Sequence, residues 1–162
     1  MATTNYFSPI SFIVTVNRLP NTEFFTQRFL LPGIFAQPVA KSTPIAQIYE
    51  LPDRLTYAEF DLGFIIDEDM ANYIEILNWM KGITGPESTD QYKALAASQE
   101  KTKSDISVIV NNSHKNANKK FTFVDCYPIG LSSISLDVRG TDIVYPEATA
   151  TFRYNYFEVD NA

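Results

Sequence analysis

Short runs in which apolar and polar residues alternate dominate this chain, and they constrain its fold more than any other feature. In the first run Ile10, Phe12, Val14 and Val16 alternate with other residues. A period of two is typical of a β-strand with one face buried. Further runs are found at 24–31, 55–66, 105–110, 120–127, 131–139 and 145–159. The pattern predicts a mainly β protein, a β-sandwich or barrel of antiparallel strands.

Turn residues between these runs predict how the strands connect. Residues 18–22 contain Pro20 and Asn21, which predict a turn and a first hairpin with the run at 24–31. A polar turn at 111–119 predicts a second hairpin, and Pro128 with Gly130 predicts a break before the run at 131–139.

One segment has helical spacing instead, and we expect a flanking α-helix at about 67–81. Asp67 is the predicted N-cap, with Glu68 and Asp69 in the first turn, where the helix dipole favours negative charge. Gly82 is the predicted C′ glycine. Apolar residues at helical spacing are Met70, Tyr73, Ile74, Leu77 and Met80.

Two segments differ in composition from the rest of the chain. Residues 32–44 contain Pro38 and Pro44, which disfavour a central strand and predict an extended arm. Residues 83–104 are rich in small and polar residues and predict a long loop, a length that is usually functional or mobile. The 162 residues fit one domain spanning 1–162.

Composition and charge exclude several classes of function. A hydrophobic fraction of 45% predicts a folded chain, and a net charge of −6 disfavours a protein that grips nucleic acid through basic grooves. The charge does not exclude proximity to DNA. Neither a signal peptide nor a stretch of about 20 apolar residues is evident, so we expect cytosolic synthesis and no membrane contact.

The chain offers little material for catalysis or for a cofactor. Its single histidine, His114, lies in a polar turn, and its single cysteine, Cys126, lies in a predicted strand without a neighbouring histidine. The acidic run at 67–69 lacks the spacing of a calcium loop, and no phosphate-binding glycine motif is found. We therefore predict no catalytic, cofactor or metal site, and no enzyme activity.

One enzymatic alternative rests on Glu59 and Asp61, two carboxylates on the same face of one predicted strand. A small β-sandwich hydrolase could use such a pair. However, glycosidase carboxylates normally flank the scissile bond across a cleft and commonly come from separate elements. This alternative is disfavoured.

Several segments together are similar to a known family. They are the run Phe-Ile-Val-Thr-Val-Asn-Arg-Leu-Pro at 12–20, Leu-Pro-Gly-Ile at 31–34, the helix at 67–82 and Thr-Ala-Thr-Phe-Arg-Tyr at 149–154. They resemble the tail tube proteins of contractile-tailed bacteriophages and their tube-initiating baseplate relatives. The resemblance covers nearly the whole chain.

The resemblance implies a β-sandwich or barrel with one flanking helix that assembles into hexameric rings. Stacked rings would form a hollow tube through which DNA passes without specific binding. The expected partners are further copies of the chain and the tail sheath, baseplate hub and tail terminator proteins. The expected location is the virion tail, after synthesis in the host cytoplasm. Chain length favours the repeating tube subunit, and a tube-initiator, baseplate or tail-end adaptor ring is the alternative.

Residues for these roles follow from the predicted strands and loops. Polar residues on outer strand faces are candidates for the lumen of the tube: Glu59, Asp61, Ser133, Ser135 and Asp137. The arm and the long loop supply candidates for contacts between subunits or rings: Ile34, Phe35, Pro38, Tyr92 and Leu95.

Overall fold

The computed structural model describes residues 10–16, 18–85, 89, 93, 102–137, 139 and 145–162, and of Phe24 only the backbone. The elements up to residue 57 are β1 (Phe12–Val16), α1 (Pro20–Phe25), β2 (Thr26–Leu30), β3 (Ile34–Ala36), β4 (Val39–Ser42), β5 (Gln47–Glu50) and β6 (Leu55–Tyr57). The remaining elements are β7 (Phe60–Ile65), α2 (Ala71–Thr84), β8 (Ser104–Asn111), β9 (Ala117–Leu131), β10 (Glu147–Arg153) and β11 (Tyr156–Asn161).

The strands form two antiparallel layers that share the long strand β9. Its first part pairs with β8 and β11, and β8 pairs in turn with β1. Its last part pairs with β10, followed by β7 and β2. The predicted fold class, mainly antiparallel β with a flanking helix, is confirmed.

Strand β9 passes from one layer to the other near Asp125, whose φ is 59°. An aspartate tolerates this left-handed conformation better than most residues, and the irregularity redirects the strand. Asp105 Oδ1 accepts a hydrogen bond of 3.0 Å from the Asp125 backbone N–H. Asn155 Nδ2 donates to Asp125 Oδ2 at 2.7 Å. The corner is therefore held by a residue of β8 and by a residue of the turn between β10 and β11.

The inward faces of the two layers form an aromatic core. The ring centroid of Phe60 lies 4.8 Å from that of Phe123 and 5.4 Å from that of Phe152. Each of these rings is fully buried, and burying such a side chain stabilises the fold by about 1.5–3 kcal/mol. Helix α2 joins the core through Trp79, whose ring lies 5.9 Å from Phe152 and whose Nε1 donates to Thr102 O at 2.9 Å.

Helix α2 begins later than the sequence predicts. Met70 adopts a left-handed conformation, φ 54°, and donates its backbone N–H to Asp67 O, so a turn separates Asp67 from the helix. The prediction that Asp67 is the N-cap is therefore wrong. Asp67 Oδ1 still accepts a hydrogen bond of 3.4 Å from the Asn72 backbone N–H. At the other end, Gly82 lies inside the helix and Gly85, φ 112°, follows its last residue.

The predicted first hairpin is wrong. Pro20 lies in the first turn of the short helix α1, where its missing N–H costs nothing, and β1 and β2 pair with β8 and β7 instead of with each other. The helix turns the chain from one layer to the other. The predicted second hairpin, between β8 and β9, is confirmed.

The break predicted at Pro128 and Gly130 is also wrong, because β9 continues to Leu131. Its ladder with β8 ends at Cys126, so among the described strands only β10 pairs with this part of β9. Proline is tolerated at such an edge. Residues 132–137, predicted as strand, have no regular structure. The predicted strand at 145–159 is divided into β10 and β11 at Tyr154 and Asn155.

Residues 34–57 form two short strand pairs, and the segment 32–44, which was expected to be an extended arm, supplies β3 and β4. Strand β3 pairs with β6, and β4 pairs with β5. Pro38 lies between β3 and β4. At about 3.3 Å per residue, an extended limb from Ile34 to Ser42 spans roughly 27 Å.

In the described part of the chain, neither helix has the length and apolarity needed to cross a membrane.

Candidate functional site

An outward-facing set of polar side chains covers the layer formed by β2, β7 and β10. We call this surface the polar face, and it comprises Arg28, Glu59, Asp61, Thr149, Thr151 and Arg153. It arises from the alternation in β10, where Ala148, Ala150 and Phe152 are buried. The residues between them therefore point away from the core.

Three side-chain pairs connect the strands across the polar face. Thr151 Oγ1 donates to Asp61 Oδ1 at 2.7 Å. Arg153 Nη1 donates to Glu59 Oε1 at 2.9 Å, with both side chains about half exposed.

The third pair is Arg28 Nη2, which donates to Thr149 Oγ1 at 3.2 Å. Among these six residues, two carboxylates accompany two guanidinium groups. The face is thus polar and balanced in charge, without a basic stripe.

Gly63 lies at the centre of this face, where β2 and β7 approach closely. A Cβ at this position would lie 3.1 Å from Arg28 Cβ. The register between the two strands shifts between Thr26 and Arg28. The bulge and the missing side chain together let the Arg28 side chain cross β7 towards Thr149.

The structure places the predicted lumen residues in two groups. Glu59 and Asp61 lie on the polar face and contact β10 through Arg153 and Thr151. Ser133, Ser135 and Asp137 are exposed but lie in the irregular segment after β9, so strand alternation does not align them. The structure therefore does not bring the two groups together on one strand face.

Sequence reasoning missed the basic and hydroxyl partners on this face. In the run Ala148-Thr-Ala-Thr-Phe-Arg153, small or apolar residues alternate with polar ones, and this alternation indicates that Thr149, Thr151 and Arg153 share an outer face. Nothing in the sequence indicated Arg28, because its approach to Thr149 depends on the pairing of β2 with β7 and of β7 with β10.

The arm formed by β3 to β6 is a second surface, and it is unusually apolar. Large apolar side chains are at least 45% exposed at Ile34, Phe35, Val39, Ile45, Ile48, Tyr49, Leu51 and Leu55. An arm that exposes this many large apolar side chains indicates an interaction surface. Of the predicted contact residues, Ile34, Phe35 and Pro38 lie on this arm, whereas Tyr92 and Leu95 lie outside the described residues.

Cys126, the single cysteine, is buried, and His114, the single histidine, lies in the turn between β8 and β9. Burial raises the pKa of the Cys126 thiol to about 12, and Cys126 Sγ donates to Phe123 O at 3.4 Å. Burial likewise raises the pKa of Tyr154 to about 12. Within the described ranges, no three of the His, Cys, Asp and Glu residues are arranged to hold a metal ion.

The fold and its two surfaces define a β-sandwich protein built for association. A family model described as "Phage tail tube protein" matches residues 9–160. The chain belongs to the phage tail tube protein family. No curated protein sequence matches it significantly.

Solved structures of contractile injection systems share this fold. A chain of the extracellular contractile injection system PVC, in its extended sheath-tube complex, superposes with a TM-score of 0.70 and 13% identity, over 98% of this chain and 94% of that chain. A chain of the anti-feeding prophage tube-terminating cap gives 0.69 and 13%, over 100% and 95%. A chain of the anti-feeding prophage baseplate gives 0.61 and 12%, over 97% of each.

Proposed function

We propose that this chain is the repeating subunit of a hollow phage tail tube, built from stacked hexameric rings that conduct DNA during ejection. Membership of the tail tube family supports the structural role. The observation that carries the proposal is the presence on one chain of a polar outer sheet face and an exposed apolar arm.

In this proposal the polar face, including Glu59 and Asp61, faces the lumen, and the exposed Ser133, Ser135 and Asp137 are separate lumen candidates. A lumen must let DNA slide, and tight binding to DNA is driven by unpaired basic groups that neutralise phosphates. Arg28 and Arg153 are each engaged with a neighbouring side chain, and the chain as a whole carries a charge of −6. Such a surface would not retain DNA.

The arm supplies contacts between subunits or rings through Ile34, Phe35 and Pro38. Covering apolar surface stabilises an association by roughly 25 cal/mol per Å² before the costs of binding. In the proposed particle, the tail sheath, the baseplate hub and the tail terminator are further partners. Chains with this fold occur in a sheath-tube complex and in a tube-terminating cap, which supports that arrangement.

A second candidate is a tube-initiator, baseplate or tail-end adaptor that forms a single ring. The fold is similar to that of chains in a cap structure and in a baseplate structure, and this similarity supports the second candidate. The two candidates differ in one measurable property, because a tube subunit polymerises and an adaptor stops at one ring.

Negative-stain electron microscopy of the purified protein at rising concentration, with sedimentation velocity, tests the proposal. We expect hollow tubes whose end-on views have six-fold symmetry. Isolated rings at every concentration would favour the adaptor, and a persistent monomer would contradict both candidates.

A matched pair of variants tests the role of the arm. Phe35→Asp places a charge in the apolar arm and should abolish tubes. Asn116→Asp adds the same charge in the exposed turn between β8 and β9 and should leave them intact. If both variants form tubes equally well, Phe35 is not a contact residue.

A further inference from the structure

The charged groups of the polar face are not all neutralised by their neighbours. Arg153 Nη1 lies 2.9 Å from Glu59 Oε1, so this guanidinium and this carboxylate offset each other. The Asp61 carboxylate accepts a hydrogen bond from the neutral hydroxyl of Thr151. Arg28 differs from Arg153, because none of the described carboxylates forms an ion pair with it. The positive charge of Arg28 therefore stays available on this face.

The Arg28 side chain is held in a fixed place across the sheet. Arg28, Gly63 and Thr149 lie opposite one another on β2, β7 and β10. Gly63 has no side chain, and Arg28 Nε lies only 3.3 Å from the position that a Cβ would occupy there. Arg28 Nη2 then donates to Thr149 Oγ1 at 3.2 Å. A guanidinium carries five N–H donors, so most of those of the exposed Arg28 remain open to a ligand.

We infer that Arg28 contacts the phosphate groups of DNA in the lumen, as one cationic contact from each subunit. The inference rests on the proposed function, in which the polar face lines the lumen, and it names the residue that touches the DNA. A guanidinium fork matches the oxygens of a phosphate in geometry and charge. The contact does not depend on base sequence, since phosphate contacts carry no sequence information directly.

The same surface keeps this contact weak, so DNA can still slide. Arg28 is exposed, and ion pairs at exposed positions contribute little. Asp61 lies two positions from Gly63 on β7, about 7 Å along the strand, and repels a phosphate bound beside Arg28. Salt at physiological strength screens such charges over about 8 Å. The contact therefore guides DNA at low salt and releases it readily at physiological salt.

Co-sedimentation of assembled tubes with a short fluorescent DNA duplex tests the contact. Parent, Arg28→Gln and Lys115→Gln tubes are compared over a series of KCl concentrations, after electron microscopy has shown that each sample contains tubes. Arg28→Gln removes the charge and keeps an N–H donor for Thr149. Lys115→Gln is the matched control, because it removes the same charge from the exposed turn between β8 and β9, outside the polar face.

We expect Arg28→Gln to weaken duplex binding at low salt by about fivefold or more, and Lys115→Gln to change it by less than about twofold. Each lost phosphate contact lowers the slope of log affinity against log salt by about 0.9, so the slope should fall for Arg28→Gln only. Arg28→Lys keeps the charge and should keep the slope. Equal affinities and slopes for parent and Arg28→Gln tubes would overturn the inference and leave the proposed function standing.

A duplex that carries streptavidin at both ends tests where the contact lies, because the bound protein prevents the DNA from entering a tube. The difference between parent and Arg28→Gln should then disappear. A difference that persists would place Arg28 on the outside of the tube and overturn the inference. Arg28-dependent binding that is tighter for a polyglutamate peptide than for the duplex would also overturn it, since the ligand would be an acidic polypeptide. Samples without tubes or rings would overturn the proposed function and the inference together.

Discussion

Thr151 Oγ1 donates a 2.7 Å hydrogen bond to Asp61 Oδ1, and this contact connects β10 to β7 on the outer face of the sheet. The two residues lie directly opposite each other in the antiparallel ladder. One partner is a carboxylate, which strengthens the bond, and partial exposure to water weakens it. The pair can therefore be altered without disturbing the core.

Removing the Asp61 carboxylate should weaken folding slightly and leave assembly intact. Asp61→Asn keeps an acceptor for Thr151, whereas Asp61→Ala removes it. We expect Asp61→Ala to be less stable than the parent protein by about 1 kcal/mol. Urea unfolding followed by Trp79 fluorescence measures the difference. Combining Asp61→Ala with Thr151→Ala should cost no more than the worse single variant, and full additivity would show that the two side chains are not coupled.

Gly63 should not tolerate even a methyl group. A Cβ there would lie 3.1 Å from Arg28 Cβ, an atom next to the backbone that cannot swing away, so Gly63→Ala should cost about 1–3 kcal/mol. Gly130→Ala is the matched control, because its Cβ would meet Thr151 Cβ at an ordinary 3.5 Å. We expect the control to change the free energy of unfolding by less than about 1 kcal/mol. Equal effects in the two variants would refute the steric argument.

Asn72 should be the most sensitive polar residue of helix α2. It is fully buried, its Nδ2 donates to Ile65 O at 2.7 Å, and its Oδ1 accepts from the Tyr73 backbone N–H at 2.8 Å. Asn72→Ala leaves both backbone groups without this partner and should cost about 2–3 kcal/mol. Asn78→Ala, on the exposed side of the same helix, should fall within about 0.5 kcal/mol of the parent. Thermal or urea unfolding of both variants checks this.

Glu75 should make the fold less stable as the pH rises. Burial raises its pKa, while a 2.7 Å hydrogen bond from Asn21 Nδ2 opposes the shift. Oε2 has no hydrogen-bond partner among the described residues. A raised carboxyl pKa means that the folded state binds the proton more tightly than the unfolded state, so this group's contribution to stability falls as the pH rises from the ordinary value of 4.5 through the raised pKa.

Glu75→Gln removes the charge and keeps an oxygen for Asn21. We expect it to raise the melting temperature at pH 7 and to raise it less at pH 4, where the parent side chain is largely protonated. Melting curves of parent and variant across this range measure the effect. A variant whose gain grows as the pH falls would contradict the direction of the shift.

Local patterns in the sequence predicted the strands and helices better than they predicted which strands pair with each other. The alternation of Phe12, Val14 and Val16 identified β1, because a period of two places these side chains on one face whatever strand lies alongside. The same patterns could not identify α1, since Pro20 and Asn21 are compatible with a turn and with the first turn of a helix. The choice depends on β1 and β2 belonging to different layers.

The polar face shows the same difference between what local patterns predict and what strand pairing decides. Strand alternation placed Glu59 and Asp61 together, and the structure locates both on the outside of one layer. It could not supply Arg28, which reaches Thr149 across 121 positions of sequence. A contact of that kind depends on two strand registers and one bulge.

The sequence by itself determined the antiparallel β class, the presence of a central helix, the acidic charge and the scarcity of reactive side chains, because these depend on composition and local period. Only the tertiary structure decided that β9 passes between layers at Asp125, that the Pro-containing segment becomes a paired arm, and that Arg28 reaches Thr149 across β7. These features arise from pairings between residues far apart in the chain, and the free energy of such pairings depends on register and burial that no local pattern encodes.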